Sequence, residues 1–230
     1  MDSISIIRTP IESELEAFKE LYDSSLSSSN TLLDSVVAHI RQRSGKMMRP
    51  ILVLLVARLY GVVSPATLHA AVSLELLHNA SLVHDDVVDE STERRGQLSV
   101  NAIFNNKVAV LTGDYLLATS LVHAELTNSH QIIRLVSSLG QDLADGELLQ
   151  LSNVSNHSFS ETVYFDVIRK KTAALFAACT EAAAYSVGVS EEEVKLARLL
   201  GEYIGICFQI KDDIFDYFDS KEIGKPTGND

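Results

Sequence analysis

The chain has 230 residues, of which 46% are hydrophobic and 22% are charged, enough for one sizeable core. Its formal net charge of -12 argues against a general nucleic-acid-binding or anionic-membrane surface, since both need a basic footprint. No stretch approaches the roughly 20 uncharged apolar residues of a membrane span, and no basic segment followed by an apolar run opens the chain, so we expect a cytoplasmic protein without stable membrane insertion.

Apolar residues recur with helical spacing along nearly the whole chain, and strand-like alternation is almost absent. The starts of three helices are marked by Ser64 before Pro65 and by two capping-box pairs, Ser158 with Glu161 and Ser190 with Glu193. The predicted helices cover about residues 10–26, 31–43, 49–59, 65–88, 100–126, 131–151, 158–188 and 190–218. We therefore predict one all-α domain over residues 1–230, a bundle of many helices.

Both cysteines, Cys179 and Cys207, lie within apolar helical runs. This position favours buried free thiols over a disulfide, as fits a reducing cytosol.

Two acidic stretches, HDDVVDE from His84 and KDDIFD from Lys211, repeat one spacing of aspartates. On a helix, residues four apart lie on one face about 6 Å from each other, so Asp85 pairs with Asp89 and Asp212 with Asp216. Carboxylates at this spacing suit Mg²⁺, which is commonly shared between one or two carboxylates and a substrate phosphate. The first cluster also lies at the negative end of its helix, where it would be unfavourable without a cation.

The alternative for each acidic stretch is a solvated surface, which is the usual explanation of a charge run. Two copies with the same spacing, each among large apolar residues, favour the cation site instead.

A phosphate ligand would need basic partners, and these occur in short clusters along the chain. Arginine binds phosphate with two donors, whereas lysine offers a point charge. Each cluster alone is ordinary surface chemistry, but together with the aspartates they indicate a cleft for two anionic groups. The candidates are Lys46, Arg49, Arg94, Arg95, Lys170, Lys171 and Lys225.

The segments GKMMRP, LLHNASLVHDDVVDESTERRG, VAVLTGDYLLA, RKKT, FQIKDDIFD and GKPTGND occur in this order from about residue 40 to the end. In this set the chain resembles the trans-isoprenyl (polyprenyl) diphosphate synthases. The resemblance implies a helical bundle with a central cavity between two Asp-rich helices. It also implies repeated joining of isopentenyl diphosphate to an allylic diphosphate, such as farnesyl or geranylgeranyl diphosphate, and a homodimer.

The resemblance also assigns roles to residues. Mg²⁺, as three ions per active site with Mn²⁺ as an alternative, is assigned to Asp85, Asp86, Asp89, Asp212, Asp213 and Asp216. The allylic diphosphate is assigned to Arg94, Lys171 and Lys225, and isopentenyl diphosphate to Lys46, Arg49, His78 and Arg95. Thr172 and Gln209 offer dipoles to an allylic cation, and diphosphate itself is the expected proton acceptor. A lone histidine such as His78 is otherwise a core residue.

Small residues at Ala80 and Ser81 lie just before the first motif, where bulky aromatic residues close the cavity in short-chain members. We therefore expect a long product, of the heptaprenyl, octaprenyl or solanesyl type, with the cavity floor near Leu74, Leu77 or Leu121. The alternative is that Ala80 and Ser81 only allow close helix packing, as we expect of Gly201 and Gly205.

Two features depart from the family pattern. Gln97 and Leu98 follow Gly96 where a proline is usual, and the chain ends at Asp230, so we expect it to lack the C-terminal helices. Other hypotheses are a class I terpene cyclase, a short-chain synthase, a non-catalytic subunit of a heteromeric synthase and a Ca²⁺-binding helical protein. The all-aspartate second motif, the retained arginine pair and the lack of a Gly-turned acidic loop count against the cyclase, the subunit and the Ca²⁺ protein respectively.

Overall fold

The structure is a computed structural model that describes residues 3–42, 47–94, 96–156 and 160–217. Within these residues the chain is almost entirely helical, which confirms the all-α prediction. The helices are α1 Ser3–Arg8, α2 Glu12–Ser25, α3 Thr31–Gln42, α4 Met48–Tyr60, α5 Pro65–Val88, α6 Val100–Phe104, α7 Asn106–Leu126, α8 His130–Asn156, α9 Glu161–Ile168, α10 Ala174–Ser186 and α11 Glu191–Tyr217. A 3-10 turn, Thr9–Ile11, joins α1 to α2, and a π-helical turn, Arg169–Ala173, joins α9 to α10.

Two of the predicted helix starts are confirmed by their caps. The Ser64 side chain accepts from the Thr67 amide while the Thr67 hydroxyl accepts from the Ser64 amide, and Pro65 opens α5. The Ser190 hydroxyl likewise accepts from the Glu193 amide, and the Glu193 carboxylate accepts from the Ser190 amide at 2.9 Å.

The prediction of a single helix over 100–126 is wrong, because the helix is interrupted at Asn105. Asn105 has a φ of 84°, which asparagine tolerates better than most residues, and its side chain accepts from the Val108 amide to cap α7. The apolar spacing continues across the break, so periodicity alone does not reveal it.

The segment predicted as one helix over 158–188 is interrupted by the π-turn Arg169–Ala173. The start predicted at Ser158 lies outside the described residues, and the cap of α9 is Ser160, whose hydroxyl accepts from the Val163 amide. A short antiparallel hairpin, β1 Glu93–Arg94 and β2 Gln97–Leu98, was not predicted.

The core is built around α5, which packs against α2, α4, α7 and α10. Its residues Leu74, Leu76 and Leu77 are buried, and they belong to one hydrophobic cluster with side chains of the surrounding helices. A helix that is apolar on all sides is typical of a central position. Among the described residues, no helix combines the length and hydrophobicity that crossing a bilayer requires.

Both cysteines are free thiols, as predicted, but they differ in exposure. Cys179 is buried in α10, and burial raises the pKa of its thiol to about 12. Cys207 is exposed on α11, so the prediction that it is buried is wrong.

Close packing between α10 and α11 depends on two glycines, as predicted. A Cβ at Gly201 would overlap the Thr180 hydroxyl and lie 2.5 Å from the carbonyl oxygen of Phe176. A Cβ at Gly205 would lie 2.6 Å from Cα of Ala173 in the π-turn. Because both added Cβ atoms would meet backbone atoms, no flexible side chain could move aside to make room for them.

The helices α5 and α7 are also joined by two histidines. Nδ1 of His69 lies 3.0 Å from Nδ1 of His123, so one ring donates to the other. Burial, and then the charge of His69, lowers the pKa of His123 to about 4, and burial lowers the pKa of His69.

We expect Gly201→Ala to lower the free energy of unfolding by about 1–3 kcal/mol, because the added methyl group meets backbone rather than a flexible side chain. The measurement is urea unfolding followed by circular dichroism. Gly140→Ala in α8 is the matched control, since a Cβ there meets nothing within 4 Å, and it should be neutral or stabilising by up to about 1 kcal/mol. Equal loss in both variants would contradict this account.

We expect the free energy of unfolding to fall as the pH is lowered from about 6.5 towards about 4. In this window the unfolded chain takes up a proton at His123 that the folded chain, with its lowered pKa, does not. Urea unfolding across this range should show a shallower pH dependence in His123→Gln than in the wild type. His130→Gln, at an exposed histidine, should leave the dependence unchanged.

Candidate active site

The three aspartates of the first motif have different surroundings at the end of α5. Asp85 is partly exposed, Asp86 is buried with 1% of its surface exposed, and Asp89 is exposed and caps the helix, its amide donating to the Asp85 carbonyl. The helical spacing predicted for Asp85 and Asp89 is confirmed. Asp86 points away from solvent.

Asp86 binds Arg94, which the hairpin carries back towards α5. Nε of Arg94 donates to Oδ1 of Asp86 at 2.5 Å. The Asp86 carbonyl is also used, because the Asn101 side chain donates to it at 3.2 Å. The buried carboxylate of Asp86 therefore holds the hairpin against α5 through a charge-assisted hydrogen bond.

The residue before the motif, His84, lies against α7. A Cβ at Gly113 would overlap its imidazole, and Nε2 of His84 lies 3.3 Å from Oδ1 of Asp114 and 3.3 Å from the Val110 carbonyl. Gly113 and Asp114 belong to the segment VLTGDYLLA, so residues of this segment pack the end of α5 against α7.

Asp85 lies near one acidic and two basic side chains from other elements, Glu147, Lys171 and Arg94. Its pKa is raised to about 6, first by burial and then by the negative charge of Glu147, while Lys171 and Arg94 lower it. Glu147 on α8 has 14% of its side chain exposed, and its Oε2 lies 2.9 Å from Nζ of Lys171. Lys171 also donates to Oε1 of Gln150 at 2.9 Å.

Glu147 and Gln150 were not among the predicted site residues. They lie three apart in GELLQ, so a shared helix face was visible in the sequence. No signal placed that face near HDDVVDE, because the approach of α8 to α5 is a tertiary contact.

The π-turn brings Lys171 and Thr172 between α8 and α11. On one side a Cβ at Gly146 would lie 2.9 Å from Cβ of Lys170, and on the other a Cβ at Gly205 would lie 2.6 Å from Cα of Ala173. Lys171 then reaches Glu147 beside the first motif, and Thr172 reaches Gln209 beside the second.

A chain of hydrogen bonds links Thr172 to the second motif. Oγ1 of Thr172 donates to Oε1 of Gln209 at 2.7 Å, and Nε2 of Gln209 donates to Oδ1 of Asp213 at 2.7 Å. The hydroxyl of Tyr164 on α9 donates to Oδ2 of Asp213. Burial, followed by this bond, raises the pKa of Tyr164 to about 12. We call these four residues the Tyr164 chain; Tyr164 was not predicted.

The remaining aspartates of the second motif lie on α11 on either side of Asp213. Asp212 is partly exposed. The side chain of Asp216 lies outside the described part of the chain.

The predicted residues for isopentenyl diphosphate are only partly described. The guanidinium of Arg49 lies over the ring of Phe176, 5.5 Å from its centroid, and Phe176 packs on Phe208 with centroids 5.3 Å apart. His78 is 8% exposed on α5. Lys46 and Arg95, like Lys225 of the allylic set, lie outside the described residues.

The predicted chain-length residues lie on α5 before the motif. Ala80 is buried in the core, and Ser81 is partly exposed with its hydroxyl donating to the His78 carbonyl. Of the residues predicted for the floor, Leu74 and Leu77 are buried in the core, whereas Leu121 on α7 is 42% exposed. Their part in setting product length stays a prediction.

The carboxylates present fit a divalent cation shared with a ligand. Oε1 of Glu147 is buried and has no hydrogen-bond partner among the described residues. The negative charge of Glu147 also repels that of Asp85. A cation beside them would relieve this repulsion. No group of three His, Cys, Asp or Glu in the described part of the chain could hold a metal by itself. Mg²⁺, which takes oxygen ligands from one or two carboxylates and substrate phosphates, suits such a site.

Comparison with known proteins identifies the family. The sequence model of the polyprenyl synthetase family matches residues 30–230. The chain is 38% identical over 224 residues to heptaprenyl diphosphate synthase component 2 of Geobacillus stearothermophilus, covering 96% of this chain and 69% of that protein.

Solved structures agree with the family match. The chain is 76% identical to a geranylgeranyl pyrophosphate synthase from Bacteroides thetaiotaomicron, with a TM-score of 0.84, covering 100% of this chain and 69% of that one. A decaprenyl diphosphate synthase from Rhodobacter capsulatus is 38% identical, with a TM-score of 0.92, covering 98% of this chain and 70% of that one. The chain thus spans about two thirds of the length of these relatives. The family predicted from the sequence is confirmed.

We expect Asp86→Asn to lower the free energy of unfolding by about 2 kcal/mol, because it removes the charge that pairs with Arg94 in a buried position. Asp89→Asn is the matched control within the same motif. It removes an exposed negative charge from a helix C-terminus and should raise stability slightly, by about 0.3–1 kcal/mol. Urea unfolding without metal compares the two, and equal effects would contradict the assignment of Asp86 to the hairpin.

Proposed function

Because the chain belongs to the polyprenyl synthetase family, which makes it a trans-prenyltransferase, we propose that it joins isopentenyl diphosphate to an allylic diphosphate to give a long all-trans polyprenyl diphosphate. The observation that carries the proposal is the position of the π-turn between the two aspartate motifs. The charge of Lys171 acts on Asp85 of the first motif, and the adjacent Thr172 donates to Gln209 beside the second. One short segment therefore carries both the ammonium of Lys171, near Asp85, and the hydroxyl of Thr172, which is linked to Asp213 through Gln209.

The proposed reaction needs the carbon–oxygen bond of the allylic diphosphate to break, with the electron pair leaving on diphosphate. Mg²⁺ would supply Lewis-acid stabilisation of this leaving group, and Asp85, Asp89 and Asp212 are the residues proposed to hold it. Lys171 is held beside Asp85 by Glu147 and Gln150, so its ammonium is positioned for an anionic leaving group. Arg94 is positioned by Asp86 for the same purpose.

The double bond of isopentenyl diphosphate then attacks the allylic carbon, and loss of a proton from the new cation restores a double bond. Thr172 and Gln209 would stabilise the allylic cation with neutral dipoles rather than with a negative charge. A carboxylate at this place could instead react with the cation. The departed diphosphate is the proposed proton acceptor. Isopentenyl diphosphate is assigned to Lys46, Arg49, His78 and Arg95 as predicted from the resemblance.

The long product is supported by the small residues Ala80 and Ser81 before the first motif. The Geobacillus relative is named for a heptaprenyl product and the Rhodobacter structure for a decaprenyl product. A geranylgeranyl product is the second candidate, because the Bacteroides structure named for that product is 76% identical.

We further propose a homodimer in the cytoplasm. The outer side of α7 carries the exposed apolar residues Leu111, Val122 and Leu126, which suit a contact with a second copy. The Geobacillus relative is named as component 2 of its enzyme, so a heteromer in which this chain needs a different subunit is the alternative.

The test is to incubate the purified full-length protein with isopentenyl diphosphate, Mg²⁺ and either farnesyl or geranylgeranyl diphosphate. We expect diphosphate release and extracted products that lengthen to the heptaprenyl class or beyond. Asp212→Asn should reduce the rate by at least about a hundredfold while the fold, checked by circular dichroism, is kept.

The outcomes separate the candidates. Products that stop at geranylgeranyl diphosphate would support the second candidate, and Ser81→Phe would then leave product length unchanged. Under the long-chain proposal Ser81→Phe shortens the product, whereas Ser137→Phe, at an exposed serine of α8, does not. No diphosphate release from the folded homodimer would contradict the proposed function.

A further inference from the structure

The Tyr164 chain has a fixed chemical direction. A carboxylate only accepts hydrogen bonds, so both oxygens of Asp213 must face donors. The neighbouring amide of Gln209 must therefore present its NH₂ group to Asp213 and its oxygen to Thr172. Thr172 in turn must donate its single hydroxyl proton to the Gln209 oxygen.

This direction decides what Thr172 can offer to any other group. With its proton engaged by Gln209, the Thr172 hydroxyl can only accept, through its remaining lone pairs. An acceptor stabilises a developing carbocation, whereas a hydroxyl proton aimed at the same point would oppose it. The orientation of one hydroxyl thus depends on the carboxylate two hydrogen bonds away.

Tyr164 is the residue that completes the surroundings of Asp213. Gln209 engages one carboxylate oxygen and Tyr164 the other, so the two donors together fix the plane of the carboxylate. They come from different helices, Tyr164 from α9 and Gln209 from α11. Without Tyr164, Asp213 would keep only the Gln209 bond among the described residues and could rotate about its side chain.

We propose that Tyr164 is a positioning residue for prenyl transfer, which holds Asp213 so that Gln209 and Thr172 keep the acceptor side of the threonine hydroxyl available to the allylic cation. This inference rests on the proposed function. It extends the site to a residue of α9 that lies outside both aspartate motifs.

The first test compares Tyr164→Phe with Tyr203→Phe in the full-length protein. Both remove one phenolic hydroxyl, and Tyr203 is 62% exposed on α11. We expect Tyr164→Phe to lower kcat about tenfold, with KM for both diphosphates within about twofold, because the lost bond acts on the cationic stage. Tyr203→Phe should match the wild type. Unchanged kcat in Tyr164→Phe, or a change in KM alone, would overturn the inference.

A double-mutant cycle asks whether Tyr164 acts through Thr172. Thr172→Val removes the last member of the chain, so adding Tyr164→Phe to it should cost no further activity. Additive losses would show that Tyr164 affects the rate by another route and would overturn the inference.

A second readout does not depend on activity. The side-chain amide signals of Gln209 in a ¹⁵N–¹H NMR spectrum can be assigned by their loss in Gln209→Glu. Tyr164→Phe should shift these signals and Tyr203→Phe should not. If the wild type released no diphosphate, the proposed function would fail while this spectrum still reported on the chain. If the wild type were active and Tyr164→Phe changed neither spectrum nor kcat, only the present inference would fail.

Discussion

The site depends on one packing constraint, the close approach of two helices to the π-turn Arg169–Ala173. Gly146 on α8 and Gly205 on α11 each leave room for backbone where any side chain would collide. A π-turn inserts one residue into a helix and is frequent at functional sites. Here it lets consecutive residues, Lys171 and Thr172, serve opposite sides of the site. The Lys171–Glu147 ion pair beside the first motif and the Thr172–Gln209 bond beside the second both start from this turn.

The sequence was sufficient for elements that local signals define. The cap at Ser64, the proline at 65 and the apolar run through Val88 predicted α5 and placed the first motif at its end. Local signals could not predict the break at Asn105, because the apolar spacing continues through it. The π-turn was also missed, since the glycines that pack against it, Gly146 and Gly205, lie on other helices.

The same distinction applies to the site. Spacing alone placed Asp85 and Asp89 on one face, the basic clusters in the sequence singled out Lys171, and the resemblance added Thr172 and Gln209. Glu147 and Tyr164 belong to other helices and enter the site only through tertiary packing, so no motif contained them. Asp86 looked equivalent to Asp85 in the sequence, yet a step of one residue turns it from the partly exposed side of α5 to the buried side, against Arg94.

The contact between His84 and Gly113 fixes the end of α5, which carries the first aspartate motif, against the middle of α7. The imidazole occupies the space of a missing side chain, so the end of α5 and the middle of α7 are locked in register. Close-packed contacts of this kind do not slide gradually; they hold or they change as a unit. The opposite side of α7 carries Leu111 and Val122 in solvent. A protein that binds there and moves α7 along its axis must therefore also move the carboxylates that follow His84.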